Sequence, residues 1–483
     1  MVTASSATTT RHELPVLIDG EEVWGNEQFD IRYPYTGEVI GSAPKLTRDE
    51  VARVLDDAGH RPAFALSRHE RSQILLRIAD RLQQEEADFA RLITLESGLC
   101  IKDTSYELRR AQDVFRFAAM EALRDDGQVF ACDTSANGKQ RRAYTLREPL
   151  RLVAAITPFN HPLNQVAHKV APAIATNNTM VLKPSGRTPL SALRLARVMR
   201  EAGLPDGMVT MVTGEAEAIG PVMWTHPAVE LVSLTGGTDI GKRVAREMGY
   251  KRAILELGGN DPLIVLRDAD LEEAVRLALY GAFKNSGQRC TAVKRIIVEE
   301  TVADRFVPRL AEAAAKLVVG DPLDPTTDIG TVIAEPDAIE FERRMHDAIA
   351  AGAKLLYGGQ RRGAQIVPAV LDQVRPEMEL VACETFGPYA PIIRVADLDA
   401  AIAVANAQDY GLSSGVVTND LRTINRCIRE LRCGTVNIRE VPGYRTELTP
   451  FGGTKESGLG VKEGVIEAMR AMTFTKLYTL PWE

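Results

Sequence analysis

The sequence of residues 152–183 is LVAAITPFNHPLNQVAHKVAPAIATNNTMVLK. Its first part, Leu152 to Thr157, is a short apolar run of the kind that forms fully buried strands. The segment from Pro162 to about Ala175 has helical spacing, and Met180 to Lys183 is a second apolar run. A strand, a helix and another strand in this order predict a parallel sheet, because parallel neighbours need a crossover connection.

The same alternation continues on both sides of a glycine pair. A helix is predicted from Pro189 to Ala202, with Thr188 as its N-cap. Further strands and helices are predicted at Val209–Val212, Leu231–Thr235, Gly237–Ile240 (the start of a helix), Pro262–Leu266, Leu271–Lys284, Arg295–Val298 and Val302–Leu317. Because Gly258-Gly259 interrupts the pattern, we place a domain boundary between Glu256 and Asn260. The sequence therefore predicts an α/β fold with two doubly wound parallel-sheet domains.

Two extended segments do not follow this alternation. They are Gln128 to Glu148 and Met472 to Trp482, and both have the composition of β structure. A two-stranded ribbon is marginally stable by itself in water. We therefore expect these segments to pair with a partner subunit through their free edges.

Composition excludes several classes of protein. The chain has 483 residues, 58 basic and 65 acidic side chains and a net charge of -7, which disfavours nucleic-acid binding through a basic face. No apolar run is long enough to cross a membrane, and the polar start of the chain does not resemble a secretory signal. Six cysteines without a CxxC spacing favour a reducing, cytoplasmic location. No metal site is predicted, since His161 and His168 are seven residues apart.

Three residues are candidates for chemistry. Cys290 lies in a polar loop directly after Arg289, and a neighbouring cation lowers the pKa of a thiol and favours the nucleophilic thiolate. Glu256 has apolar neighbours, whose desolvating effect would make it a general base. Asn160 follows a strand, where its amide could donate to an oxyanion. Taken singly, a structural cysteine, a salt-bridged glutamate and a helix cap are the alternatives.

Together these residues carry a resemblance. The chain resembles the aldehyde dehydrogenase superfamily in four motifs, which are Thr157–Asn160 (TPFN), Leu255–Gly259 (LELGG), Gly287–Cys290 (GQRC) and Glu384–Pro388 (ETFGP). The resemblance implies a nucleophile at Cys290, an oxyanion donor at Asn160 and a deacylating base at Glu256. It also implies an aldehyde dehydrogenase-like fold that forms a homodimer or homotetramer. The expected parts are an NAD(P)-binding domain (1–129 and 150–256), a catalytic domain (257–464) and an oligomerisation ribbon (130–149 and 465–483).

The resemblance also implies the cofactor residues for NAD or NADP. They are Lys183, Ser185, Arg187, Thr235, Gly236, Gly237, Gly241, Glu384 and Phe386. A GxGxxG fingerprint is absent, and Gly236-Gly237 opens a helix where relatives often have a serine. Many NAD-dependent relatives carry a glutamate three residues after the lysine, but here Gly186 is followed by Arg187. The loss of a carboxylate and the gain of a cation make NADP acceptable.

Longer stretches look like phosphonoacetaldehyde dehydrogenases. They are Leu95–Cys100, Ala122–Gln128, Asn160–Val170, Lys284–Arg295 and Val441–Arg445. The expected substrate contacts are Arg289, His161, Arg110 and Arg445, which would bind a phosphonate through several donors. A cluster of cations measures chain length poorly, so phosphonoformaldehyde, succinic semialdehyde and glyceraldehyde 3-phosphate are alternatives, as is a non-catalytic member of the fold.

Overall fold

The computed structural model describes residues 11–124, 127–460 and 463–482, so the predicted polar start of the chain before Arg11 lies outside the described residues. The strands are β1 His12–Glu13, β2 Val16–Ile18, β3 Glu21–Val23, β4 Gln28–Arg32, β5 Val39–Pro44, β6 Val129–Ala131, β7 Arg141–Pro149, β8 Leu152–Ile156, β9 Thr179–Lys183, β10 Val209–Met211, β11 Leu231–Thr235, β12 Arg252–Glu256, β13 Asp261–Val265, β14 Val293–Glu299, β15 Lys354–Tyr357, β16 Arg361–Arg362, β17 Gln365–Ile366, β18 Ala369–Asp372, β19 Tyr389–Val395, β20 Tyr410–Gly411, β21 Ser413–Val417, β22 Thr435–Ile438, β23 Thr454–Lys455 and β24 Thr473–Pro481. The helices are α1 Arg48–His60, α2 Arg68–Gln84, α3 Glu86–Ser97, α4 Ile101–Ala122, α5 Asn164–Ala175, α6 Leu190–Glu201, α7 Ala216–Thr225, α8 Thr238–Glu247, α9 Leu271–Phe283, α10 Glu300–Ala314, α11 Glu335–Ala350, α12 Glu379–Ala382, α13 Leu398–Asn406, α14 Leu421–Glu430 and α15 Val465–Ala471.

The first large sheet is parallel and has the strand order β10-β9-β8-β11-β12. The chain runs outward from β8 in one direction and from β11 in the other, so these two neighbours form the topological switch point. In open α/β sheets the ligand crevice lies at the carboxyl ends of such a pair. Thr235 is the last residue of β11, and the segments that follow β8 and β11 contain the predicted residues Asn160 and Gly237. The fold thus brings two motifs to one edge.

The second large sheet has the order β15-β18-β19-β14-β13-β21-β22, with β15 antiparallel and the remaining strands parallel. Its core strands β13 and β14 are buried along their whole length, including the charged residues Lys294 and Arg295 in β14. The predicted class of two doubly wound α/β sheets is therefore confirmed. Strand β12 ends at Glu256 and strand β13 begins at Asp261.

The predicted cap of helix α6 is wrong. Thr188 is not its N-cap, because the helix begins at Leu190 with Pro189 in the cap position and no side-chain cap from its own segment. Instead, the buried Glu96 carboxylate of α3 accepts hydrogen bonds from the backbone N–H groups of Leu190 and Ser191. Carboxylates stabilise helix N-termini through the unpaired N–H groups there, whether they come from the helix or from elsewhere.

The predicted ribbon has three strands rather than two, in the order β24-β7-β6. Strand β24 pairs antiparallel with β7 from Thr473 opposite Pro149 to Pro481 opposite Arg141. Large apolar side chains of this sheet are exposed, namely Val129, Phe130, Leu477, Tyr478, Leu480 and Trp482. Within the described residues, no helix combines the length and the apolar character that crossing a membrane requires.

Candidate active site

The loop that carries Cys290 follows directly on helix α9. Asn285, Ser286 and Gly287 have φ angles of 61°, 52° and 73°, so three consecutive residues are left-handed. A non-glycine residue in this region costs about 1 kcal/mol or more, and surrounding contacts must hold it there. Gly287 is needed because an added Cβ would lie 2.1 Å from the carbonyl oxygen of Gly387. The loop is therefore packed tightly against the segment that follows Glu384.

Two asparagines join this loop to the one after strand β8. Asn160 donates from Nδ2 to the carbonyl of Gln288 at 3.0 Å, and Asn285 donates to the carbonyl of Asn160 at 2.9 Å. The amide of Asn160 has two N–H groups, so one remains after the bond to Gln288. Asn160 is thus fixed beside the Cys290 loop with a donor to spare, as an oxyanion donor requires.

A cavity of about 250 Å³ lies between the two large sheets. The predicted site residues that line it are Asn160, Thr235, Gly236, Gly237, Cys290, Glu384 and Phe386. These residues come from both halves of the chain, and the structure brings them to one place. The other predicted residues do not line this cavity; Glu256 lies just behind it, since its successors Leu257 and Gly258 form part of the wall.

The residues that follow Glu256 pack closely against Cys290 and Glu384. Glu256 ends strand β12 and is 3% exposed. An added Cβ at Gly259 would lie 2.4 Å from the Cys290 carbonyl oxygen, and one at Gly258 would lie 2.4 Å from Oε2 of Glu384. Both glycines are therefore required by the close approach of this segment to the nucleophile loop and to Glu384.

Lys294 is a site residue that the sequence reasoning missed. Its Nζ donates to the carbonyls of Gly259 and Cys290 at 2.6 and 3.1 Å and to Oε1 of Glu384 at 2.5 Å. The side chain is almost fully buried, and its charge is matched by the Glu384 carboxylate. A lysine inside the apolar strand β14 was the available signal, because a buried ammonium needs a partner. Lys294 ties the nucleophile loop to Glu384 and leaves Oε2 of Glu384 without a hydrogen bond from the described residues.

The expected cause of Cys290 activation is wrong. Burial raises the pKa of the Cys290 thiol to about 11, and among its neighbours Lys294 and Arg445 lower it, while Arg289 is not among the main influences. Sequence adjacency misled here, because the Arg289 side chain points to the end of helix α9. It donates from Nη2 to the carbonyls of Tyr280 and Gly281 at 3.3 and 2.7 Å.

The raised pKa predicts how Cys290 reacts in the protein without cofactor. Only the thiolate is alkylated, so iodoacetamide should modify Cys290 about ten times faster for each pH unit between about pH 7 and pH 9. Peptide mapping by mass spectrometry of samples quenched over time measures this rate at Cys290 itself. A rate that already levels off near pH 8 would contradict the raised pKa and restore a dominant cationic neighbour.

Four cations surround His161. Burial lowers the pKa of His161 well below its usual value, and Arg110, Arg289, Lys284 and Arg445 lower it further, so the imidazole is neutral. A neutral imidazole keeps one N–H donor. The three arginines that the sequence singled out are thus brought together around the predicted histidine, and Lys284 joins them.

Two of these guanidinium groups have unused donors. Nε of Arg289 and Nη1 of Arg445 are buried and have no hydrogen-bond partner among the described residues. The Arg445 guanidinium also lies 3.9 Å from the ring centroid of Phe451. Buried donors without partners are rare in folded proteins and indicate a missing ligand or water. They fit an anion bound beside His161.

Arg110 is held by a buried acid that the sequence did not reveal. Nε of Arg110 lies 2.5 Å from Oε1 of Glu447, and the other carboxylate oxygen of Glu447 contacts His168 Nε2. Helix α4, helix α5 and the loop of residues 439–450 therefore meet at one carboxylate. Nothing in the local sequence marks Glu447, because its partners are distant along the chain.

The predicted cofactor residues fit a dinucleotide at the start of helix α8. Gly237 is the N-cap, no side chain caps the helix, and a Cβ at Gly237 would have no neighbour within 4 Å. Free N–H groups and open space at a helix N-terminus suit a pyrophosphate. Gly241 has a packing role, because an added Cβ would lie 2.3 Å from Leu257.

The remaining cofactor residues lie at the carboxyl end of strand β9. Lys183 ends this strand, and burial lowers its pKa to about 8. Ser185 accepts a hydrogen bond from the backbone N–H of Arg187 at 3.2 Å. Arg187 is half exposed and forms an ion pair with Asp337 at 3.4 Å. Asp337 lines the 250 Å³ cavity, so Arg187 lies near its rim.

Comparison with known proteins gives a consistent set of relatives. The sequence model of the Aldehyde dehydrogenase family matches residues 23–478. A 3-sulfolactaldehyde dehydrogenase of Priestia aryabhattai is 36% identical over 463 residues, which cover 96% of this chain and 97% of the relative. The structure of an NADP-dependent glyceraldehyde-3-phosphate dehydrogenase from Bacillus halodurans, complexed with NADP, superposes with a TM-score of 0.92 at 37% identity and covers 98% of this chain and 100% of that chain. An NAD-dependent aldehyde dehydrogenase from Sinorhizobium meliloti gives a TM-score of 0.94 at 32% identity, with 100% and 97% covered.

Proposed function

The chain belongs to the aldehyde dehydrogenase family, whose members oxidise aldehydes with NAD or NADP. We propose that this enzyme oxidises short anionic aldehydes, with phosphonoacetaldehyde as the first candidate. The product would be phosphonoacetate. The Priestia aryabhattai relative is named for 3-sulfolactaldehyde and the Bacillus halodurans relative for glyceraldehyde 3-phosphate. The name of the Sinorhizobium meliloti relative specifies no aldehyde. The family is therefore established, while the phosphonate substrate is the proposal.

The group of cations around His161 carries the proposal. Arg110, Arg289, Lys284 and Arg445 all influence this neutral imidazole, and two of the guanidinium groups have buried, unused N–H donors. A phosphonate offers three oxygens and up to two negative charges, and arginine can bind two oxygens at once. An aldehyde with only an alkyl chain would leave these donors unpaired, which is costly in a buried site.

The residues support a thioester route. The Cys290 thiolate attacks the aldehyde carbon, and Asn160 together with the Cys290 backbone N–H donates to the oxygen that becomes negative. NAD or NADP, when bound, accepts the hydride from that carbon. The resulting thioester on Cys290 is hydrolysed by a water whose proton Glu256 accepts, and the acid leaves as the thiolate is restored.

Either nucleotide is accommodated in this proposal. Gly186 removes the carboxylate that would repel a 2′-phosphate, and Arg187 near the cavity rim supplies a positive charge. The Bacillus halodurans relative was solved with NADP, which supports NADP as an acceptor here. Asp337 neutralises part of the Arg187 charge, so NAD is not disfavoured.

The exposed ribbon supports a homo-oligomer. Its apolar side chains would be buried by a second copy of the chain, and unpaired strand edges favour such contacts. We infer a homodimer or a tetramer built from two such dimers. All six cysteines are free in the structure, which supports a reducing compartment such as the cytoplasm.

A panel of short aldehydes tests the proposed function. We expect kcat/KM for phosphonoacetaldehyde to exceed that for acetaldehyde by about 100-fold or more, because several charge-assisted hydrogen bonds form only with the anion. The panel includes phosphonoformaldehyde, succinic semialdehyde and glyceraldehyde 3-phosphate, each with NAD and with NADP. Absorbance of the reduced nucleotide measures the rate.

Two variants sharpen this comparison. Arg445→Met should reduce the preference for the phosphonate over acetaldehyde about tenfold or more. The rate with acetaldehyde reports the smaller loss that arises because Arg445 also lowers the pKa of the Cys290 thiol. Arg439→Met removes an exposed arginine that pairs with Glu273, and it serves as the matched control. Equal rates for acetaldehyde and all anionic aldehydes in the unmodified enzyme would refute the proposal.

A further inference from the structure

Lys284 is an unusual lysine beside the candidate site. It lies six residues before Cys290, at the start of the left-handed turn after helix α9. Its Nζ lies 3.4 Å from the ring centroid of Tyr106 and 4.7 Å from that of Tyr280, and it donates to the Tyr280 hydroxyl at 2.8 Å. Two aromatic faces therefore hold the ammonium in place.

This ammonium has like charges around it. Lys284 forms no salt bridge within residues 11–124, 127–460 and 463–482. Burial lowers the pKa of Lys284 to about 8. The positive charges of Arg289 and Arg110 also lower this pKa, whereas the Asp103 carboxylate raises it. The Asp103 carboxylate is engaged by the Cys100 thiol and the Asn285 N–H.

Positive side chains gather around His161. They are Arg110, Arg289, Arg445 and Lys284, and each of them lowers the pKa of this imidazole. The carboxylates near these cations are already engaged by other groups: Glu447 by Arg110 and His168, Glu463 by Lys169, Glu107 by two backbone N–H groups and Asp103 by Cys100 and Asn285. Gathering like charges in a partly buried space raises the energy of the empty protein, and a bound anion removes that penalty.

We propose that Lys284 is a specificity-determining residue, whose ammonium binds the second negative charge of a phosphonate or phosphate group on the aldehyde. These positive groups attract a dianion more strongly than a sulfonate or a carboxylate, which carries one negative charge. Tyr106 and Tyr280 hold Nζ in place, and the Arg289 guanidinium lies 5.6 Å from the ring centroid of the same Tyr280. This inference rests on the proposed function, because it assigns the selection among anionic aldehydes to one residue.

Substitution of Lys284 tests the proposal with matched substrates. Phosphonoacetaldehyde and sulfoacetaldehyde have the same chain length and a tetrahedral anionic group but differ in charge. We expect Lys284→Met to lower kcat/KM about 30-fold for the phosphonate, about threefold for the sulfonate and less than twofold for acetaldehyde. Lys316→Met removes an exposed lysine paired with Glu312 and should change none of the three.

Measuring the unmodified enzyme and Lys284→Arg over a range of pH shows whether the charge of residue 284 or its shape determines the preference for the phosphonate. In the unmodified enzyme, the ratio of kcat/KM for the phosphonate to that for acetaldehyde should fall as the pH rises through about 8, where Lys284 loses its proton. Steps common to both substrates cancel in this ratio. Arginine stays charged, so the ratio should remain high in Lys284→Arg to about pH 10. The other titratable or charged groups near Lys284 are Cys100, Asp103, Tyr106, Arg110, His161, Tyr280 and Arg289.

The possible outcomes are distinct. An equal loss for all three aldehydes in Lys284→Met, or a ratio in that variant that equals the wild-type ratio, overturns the role of Lys284. In either case the unmodified enzyme would still prefer anionic aldehydes, and the proposed function would stand. If the unmodified enzyme shows no preference for any anion, the proposed function itself fails, whatever the variants do.

Discussion

Replacing Cys290 with alanine is expected to lower kcat by about 10⁴-fold or more and to abolish the pre-steady-state burst of reduced nucleotide. In the proposed route the Cys290 thiolate bonds to the aldehyde carbon, and no other cysteine lines the 250 Å³ cavity among the described residues. Without that bond the tetrahedral species does not form and no hydride leaves. Stopped-flow absorbance at the nucleotide band measures burst and steady state in one experiment.

The exposed Cys383 provides the matched control. It is the immediate neighbour of Glu384 in sequence, and its side chain is exposed. Cys383→Ala should retain the burst and stay within about twofold of the unmodified kcat, since the Cys383 side chain is exposed and does not line the 250 Å³ cavity. A burst that persists in Cys290→Ala would assign the nucleophile to another group.

Glu256→Gln is expected to separate the two halves of the reaction. The burst of reduced nucleotide should remain at about one equivalent per site, while the steady-state rate falls about 10² to 10⁴-fold, the usual contribution of a general base. In the proposed route the first half uses Cys290 and Asn160, and Glu256 accepts a proton only when the thioester is hydrolysed. The same stopped-flow measurement gives both amplitudes, and mass spectrometry of the quenched protein should detect the acyl group on Cys290.

A buried acid elsewhere controls for the loss of a carboxylate. Glu299 is buried at the end of strand β14 and pairs with Arg267, outside the cavity. Glu299→Gln should change neither the burst nor the turnover by more than about threefold. The free energy of unfolding of this variant is expected to fall by about 1 to 3 kcal/mol. Loss of burst and turnover together in Glu256→Gln would point to a role before hydride transfer.

The local sequence predicted most elements that position the site. Strand β11 has the predicted bounds, and strand β8 and helix α5 differ from theirs by one or two residues. Apolar periodicity depends on neighbours a few positions away, so the sequence alone contains it. The motifs around Asn160, Glu256, Cys290 and Glu384 carry the family resemblance, and the matching family model confirms that resemblance.

Contacts between distant segments were not predictable in the same way. The carboxylate of Glu96 caps a helix that begins at Leu190, and Glu447 holds Arg110 although 337 positions separate them. Lys294 joins Gly259, Cys290 and Glu384, and no spacing rule connects these residues. Adjacency even gave the wrong sign for the Cys290 pKa, because Arg289 turns its guanidinium to the end of helix α9.

The amino-acid sequence by itself determined the two α/β sheets and the family, and it singled out Cys290 as the proposed nucleophile, since these depend on residue type and short-range spacing. Only the tertiary structure decided which charges face one another around His161, how Lys294 fixes Glu384, and that burial raises the thiol pKa. The reason is that electrostatic energy depends on distance and on the exclusion of water. Both quantities are set when segments far apart in the chain are packed together.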